Sequence, residues 1–105
     1  MARDDYFVIA AKVLDYLYKC LKKGTAPDPE LLSPEEFGIN ESYWNYIFQN
    51  LSGYGYITGV ITGRFMGNPE VQVKIQYGSL KITPLGIEYL SENSTMKKAL
   101  ETLQT

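Results

Sequence analysis

The chain has 105 residues, 45% of them hydrophobic, with 10 lysines and arginines against 12 aspartates and glutamates, nine tyrosines and no histidine. That length fits one compact domain over residues 1–105, and the composition suits a folded core over disorder. Lacking histidine, the chain lacks the commonest general base and the commonest zinc ligand, and its net charge of −2 repels a polyanion on average.

Cys20 is the one cysteine, so no internal disulfide or cysteine-based metal framework is available. The opening MARDDYF puts two acids where a signal peptide carries positive charge, and the longest apolar run, Tyr6–Ala11, is too short to span a bilayer. The expectation is a cytoplasmic chain with no membrane role, no metal and no cofactor.

From Asp5 to Lys23, the residues Tyr6, Ile9, Ala10, Val13, Leu14, Leu17 and Leu21 recur at three- and four-residue steps. This spacing predicts a helix with one buried face, ended by Gly24. Lys22 and Lys23 suit the negative end of its dipole, Asp15 can pair with Lys19, and Cys20 reads as a small core hydrophobe. Residues 24–30 read as a loop because two prolines disfavour helix. SPEEFG predicts a short helix with Ser33 as N-cap, Pro34 in the first position, Glu36 completing a capping box and Gly38 breaking it. Asn40 then caps a further helix in which Trp44, Ile47, Phe48 and Leu51 fall on one side. Tyr43, Asn45, Tyr46, Gln49 and Asn50 are left mostly outward. Two short helices across a glycine turn make a helix-turn-helix.

Beyond the glycines of SGYGY the period changes to two. Ile57, Ile61 and Phe65 would line one face of a single strand, with Tyr56, Thr58, Thr62 and Arg64 on the other. MGNP is a turn, and the return run sets Val71, Val73, Ile75 and Tyr77 against Gln72, Lys74 and Gln76, so the pair predicts an antiparallel hairpin. Thr83 and Pro84 restart a helix, and the last segment carries an apolar stripe of Met96, Ala99, Leu100 and Leu103. The element order predicts an α+β fold, a winged helix-turn-helix with a two- to three-stranded antiparallel wing and carboxy-terminal helices.

Three stretches, VLDYLYKCLKKG, LSPEEFGINESYWNYIFQNLSGYGYITGV and LKITPLGIEYLSENS, together resemble the YjcQ-like family of small winged-helix proteins from Gram-positive bacteria and their prophages. The resemblance covers most of the chain. It implies a fold and a bacterial or phage origin in place of an activity, and it supplies no catalytic residues.

In such a domain the second helix of the helix-turn-helix normally enters the major groove while the wing touches the backbone. Fold analogy therefore favours a non-enzymatic DNA-binding regulator, with Tyr43, Asn45, Tyr46, Gln49 and Asn50 as candidate base or phosphate contacts and Arg64 and Lys74 as wing cations. The objection is electrostatic. No lysine or arginine occurs between Lys23 and Arg64, while Asp28, Glu30, Glu35, Glu36 and Glu41 do. Duplex affinity rests on cations, so DNA is an electrostatically weak partner. The alternative is a protein-interaction module using the aromatic, acidic face of the same helix, because tyrosines and amides suit protein partners. Tyr43 and Tyr46 can each be core edge, interface or stacking platform. The stripe of Met96, Ala99, Leu100 and Leu103 is either a homodimer seam or a face that folds back on its own domain. Catalysis finds no support: adjacent Glu35 and Glu36 point in different directions, and the glycines from Gly53 to Gly63 are not followed by the Lys-Ser or Lys-Thr of a phosphate loop.

Overall fold

A computed structural model describes residues 2–64, 66, 67 and 69–104. The strand position expected for Phe65 lies outside the described residues. Helix α1 (Tyr6–Lys23) begins where the Asp5 carboxylate accepts the Phe7 N–H at 2.9 Å and ends at Gly24 in the left-handed region, φ 71°. Its expected surface pair forms, Lys19 Nζ lying 2.8 Å from Asp15, though an exposed i,i+4 pair adds only about 0.3–0.5 kcal/mol.

α1 is buried over a wider arc than the expected stripe, because Val8 and Ala11 are as inaccessible as Ile9, Val13 and Leu14. The reason lies at the other end of the chain. Helix α5 (Ser94–Gln104) packs along α1, and Met96 and Ala99 are fully buried, with Leu100 and Leu103 partly buried against the same core. The stripe singled out as a candidate dimer seam or fold-back face thus packs on the chain's own core. Cys20 is buried as expected.

The loop after α1 is more ordered than its prolines suggested. Asp28 accepts the Glu30 N–H at 2.9 Å and so caps a 3-10 turn over Pro29–Leu32, where a proline fits because its missing N–H falls in the first turn. The Tyr16 hydroxyl accepts the Asp28 N–H at 2.8 Å, and Leu32 is buried. Helix α2 (Pro34–Phe37) follows its Ser33 cap and stops at Gly38, φ 67°. Helix α3 (Glu41–Gly53) follows Asn40, whose side chain accepts the Tyr43 N–H at 2.8 Å. Trp44, Ile47, Phe48 and Leu51 face the core, Trp44 meeting Phe48 edge-on at 4.3 Å.

The single strand expected after α3 is two. Strand β1 (Ile57–Thr58) pairs with β4 (Lys81–Ile82), and β2 (Val60–Gly63) pairs with β3 (Gln72–Ile75), both antiparallel. Gly59 breaks the run at φ 89°, and its carbonyl accepts the Gln76 N–H at 2.8 Å. A Cβ there would lie 2.6 Å from the backbone of Ser79 and Leu80, so the sharp bend requires glycine. The bend shifts the side-chain phase by one: Ile57 is buried, but Ile61 is 46% exposed and Val60, paired with Ile75, packs inward instead. The expected inward face was therefore wrong beyond Gly59. On β3 the expected alternation stands, Val73 and Ile75 packing against the core while Lys74 is exposed.

Helix α4 (Pro84–Glu92) is tied to the end of α3 by one residue. The Thr83 hydroxyl accepts the Gly86 N–H at 3.0 Å as a helix cap and donates to the Gly55 carbonyl at 2.5 Å, while the Thr83 N–H donates to the Tyr56 carbonyl at 3.0 Å. Gly86 then packs against that carbonyl. The chain is thus α+β, with five α-helices and two small antiparallel sheets among the described residues. Among them no helix is long and apolar enough to cross a membrane.

Gly86→Ala decides how tight this junction is. Alanine is better than glycine inside a helix by about 1 kcal/mol, but here its Cβ would enter the van der Waals shell of the Tyr56 carbonyl oxygen and sit 2.8 Å from Ile82 Cγ1. The clash is with backbone and wins: the variant should lose about 1–3 kcal/mol in urea denaturation followed by circular dichroism.

Candidate functional site: a tyrosine-lined groove

Four segments bring aromatic rings to one place. Capping by Asp5 makes Tyr6 and Phe7 the first residues of α1, with their rings edge to face at 5.2 Å. Tyr46 and Asn50 lie one turn apart on α3, where Asn50 Nδ2 donates to the Tyr46 carbonyl at 2.8 Å and the Tyr46 ring meets Tyr6 edge-on at 6.1 Å. After α3 the chain turns through Gly55 at φ 80°, which sets Tyr54 and Tyr56 side by side with centroids 5.7 Å apart. Tyr89 of α4 stacks on Tyr56 at 4.2 Å and 8° between planes, the arrangement that the Thr83 tie makes possible. These seven residues enclose an open groove of about 340 Å³.

The Tyr56–Tyr89 stack also borders a second cleft of about 290 Å³, completed by Leu85, Glu88, Glu92 and Asn93. Among the described residues, neither lining includes a lysine or arginine. The rings are accessible, Tyr46 at 59% and Tyr54 at 62%.

Among the described residues, no aspartate, glutamate, lysine or arginine lines the groove. Burial, and next the neighbouring phenols of Tyr89, Tyr54, Tyr46 and Tyr56, push the Tyr6 phenol up to about 12. Burial first, then Tyr56 and Tyr54, also raises Tyr89. The Tyr6 and Tyr89 phenols, kept protonated by their burial, can donate and accept hydrogen bonds without carrying charge.

The residues singled out from the sequence separate in space. Tyr46 and Asn50 line the groove. Tyr43 is a brace: its hydroxyl donates to the Asp4 carbonyl at 2.8 Å, and burial, with Asp5 and Asp4 nearby, raises its phenol. Asn45 lines a shallow cleft with Glu35, Glu41, Val73, Ile75 and Tyr77, and Gln49 is exposed. Arg64 and Lys74 are exposed at the β2–β3 hairpin and do not join the groove. The lysines of α1 lie elsewhere too, Lys12 over the Phe37 ring at 4.8 Å and Lys22 over Tyr18 at 4.4 Å. Tyr6, Phe7, Tyr54, Tyr56 and Tyr89 were not singled out, although five of the chain's nine tyrosines line this one groove. The surplus of tyrosine was the available signal.

A family model described as YjcQ protein matches residues 11–105. The chain belongs to the YjcQ family. Neither a curated protein nor a solved structure matches it. The match begins inside α1, so Tyr6 and Phe7 precede it while Tyr46, Asn50, Tyr54, Tyr56 and Tyr89 fall within it. Family membership covers three of the four segments that build the groove in this YjcQ-family chain.

An alkaline titration tests the burial of Tyr6. The unfolded phenol loses its proton from about pH 10, whereas the folded one keeps it to about 12, so the folded state holds more protons in that window and stability falls as pH rises through it. Tyr6→Phe should remove the latest tyrosinate step in the ultraviolet titration and flatten the loss of stability between about pH 10 and 12.

Proposed function

We propose that the chain is a non-enzymatic binding module, a winged helix whose second helix-turn-helix helix, α3, docks a protein partner with its aromatic and acidic side. One observation carries this reading. The exposed positions of α3 are Glu41, Ser42, Tyr46, Gln49 and Gly53, and no lysine or arginine occurs anywhere from residue 24 to residue 63. Tyrosine offers a large contact area at little cost in side-chain entropy, and the surrounding carboxylates repel phosphate. On this reading the β2–β3 hairpin is the wing and the groove beside Tyr46 extends the docking face.

A specific observation supports a second reading, a DNA-binding regulator of bacterial or prophage origin. Arg64 and Lys74 are exposed on the hairpin, where a wing reaches the backbone, and Asn45 and Gln49 are of a type that pairs with adenine. Its weakness is magnitude. Two phosphate contacts give a salt slope near −2, so a fourfold rise in salt costs about tenfold in affinity, against about 10³–10⁵ for a protein making six to ten contacts.

Fluorescence anisotropy with labelled random duplex separates the readings. The protein-docking reading predicts no saturable binding at micromolar protein near physiological salt. Duplex binding that disappears in Arg64→Ala/Lys74→Ala, with the fold intact by circular dichroism, would replace it with the DNA reading.

A further inference from the structure

The geometry points to a basic peptide segment as the occupant of the tyrosine groove and its glutamate cleft, an arginine guanidinium lying against the Tyr56–Tyr89 stack with Glu88 and Glu92 as its counter-charges. This inference rests on the protein-docking reading and gives the partner's chemistry.

Three features select a cation. The aromatic faces carry negative quadrupole potential, so a guanidinium gains there while a carboxylate or phosphate loses. Glu88 and Glu92, one turn apart on α4, are exposed in the cleft that shares the stacked pair, and no lysine or arginine lines either space among the described residues. Helix dipoles do not offset this. The end of α4 meets the start of α5 at Asn93, whose side chain accepts the Thr95 and Met96 N–H groups at 3.0 and 3.2 Å, so the two dipoles oppose and the glutamates set the sign. At the groove's other end, the Asp5 carboxylate accepts the Phe7 N–H and sets a negative charge at the positive end of α1.

Arginine fits better than a compact ammonium. The guanidinium is planar, stacks on rings and donates five hydrogen bonds in its plane, matching phenolic oxygens and the Asn50 amide carbonyl beside a flat aromatic wall. The chain already uses the same attraction within itself, at Lys22 over Tyr18 and Lys12 over Phe37. Exposed Leu85, at 51%, adds an apolar edge on which the methylene stem of an arginine can lie.

The test is an NMR titration of the full chain, read at the tyrosine rings, with three probes. These are a blocked hexapeptide of alternating glycine and arginine, the same peptide with citrulline for arginine, and an oligothymidine of equal length. The arginine peptide should shift the rings of Tyr46, Tyr54, Tyr56 and Tyr89, and the citrulline peptide should bind about tenfold more weakly. Glu88→Gln/Glu92→Gln should weaken the arginine peptide about fivefold and leave the circular dichroism of the free protein unchanged, since both side chains are exposed. Tyr54→Ala, at an exposed ring, should weaken it as well. Equal binding of the arginine and citrulline peptides overturns the choice of a cation and leaves the protein-docking reading standing. Ring shifts with oligothymidine alone, or with none of the three at millimolar concentration, overturn the assignment of the groove to a basic peptide, whereas the docking reading falls only on the duplex-binding result.

Discussion

The junction at Thr83 holds the rest in place. One side chain caps α4 through the Gly86 N–H and clasps the end of the α3 turn through the Gly55 carbonyl, and its backbone N–H closes the β1–β4 ladder on Tyr56. A capping interaction alone is worth about 1 kcal/mol, but this one sits where three elements meet. Gly86 allows α4 to approach the Tyr56 carbonyl with no side chain between them. Tyr56 and Tyr89 can then stack at 4.2 Å, and that stack separates the groove from the glutamate cleft. The Tyr56–Tyr89 wall therefore depends on the junction.

The core explains why the other wall is firm. α1 is covered by α3 and α4 and also by α5, whose Met96 and Ala99 are buried along it, so its first turn is held against the body of the protein. Tyr6 and Phe7 are consequently fixed next to Tyr46, and Tyr43 adds a bond from α3 to the Asp4 carbonyl just before the helix. A tyrosine can bury its ring while its hydroxyl stays at an open edge, so a wall of tyrosines can be both packed and polar. This combination suits recognition: ordered rings with open faces lose little entropy on binding.

Much of the fold was legible in the sequence. The 3.6-residue period placed Trp44, Ile47, Phe48 and Leu51 inward on α3, and the caps Ser33, Asn40 and Thr83 marked helix starts that the structure keeps. Alternation failed at Gly59, because a glycine inside an alternating run does not announce a positive φ, and the phase slip turned Ile61 outward. The site was less legible. Tyr46 and Asn50 could be found from helical spacing, but the role of Tyr43 depends on a carbonyl 39 residues away. Tyr6, Tyr56 and Tyr89 meet only through tertiary packing, and tyrosine suits core edge, loop and surface alike, so local patterning carries no signal for their convergence. The apolar stripe of α5 shows the same limit, since its spacing is equally good for a partner helix and for α1.

The central claim is that the groove exists in the free protein, with its two walls joined through α3 and the Thr83 junction. Aromatic nuclear Overhauser contacts in the unliganded chain test it most directly. The account predicts cross-peaks between the Tyr56 and Tyr89 rings and between the Tyr6 and Tyr46 rings in the same sample. Contacts within each turn of helix but none across these two pairs would contradict it, since the tyrosines would then share no surface.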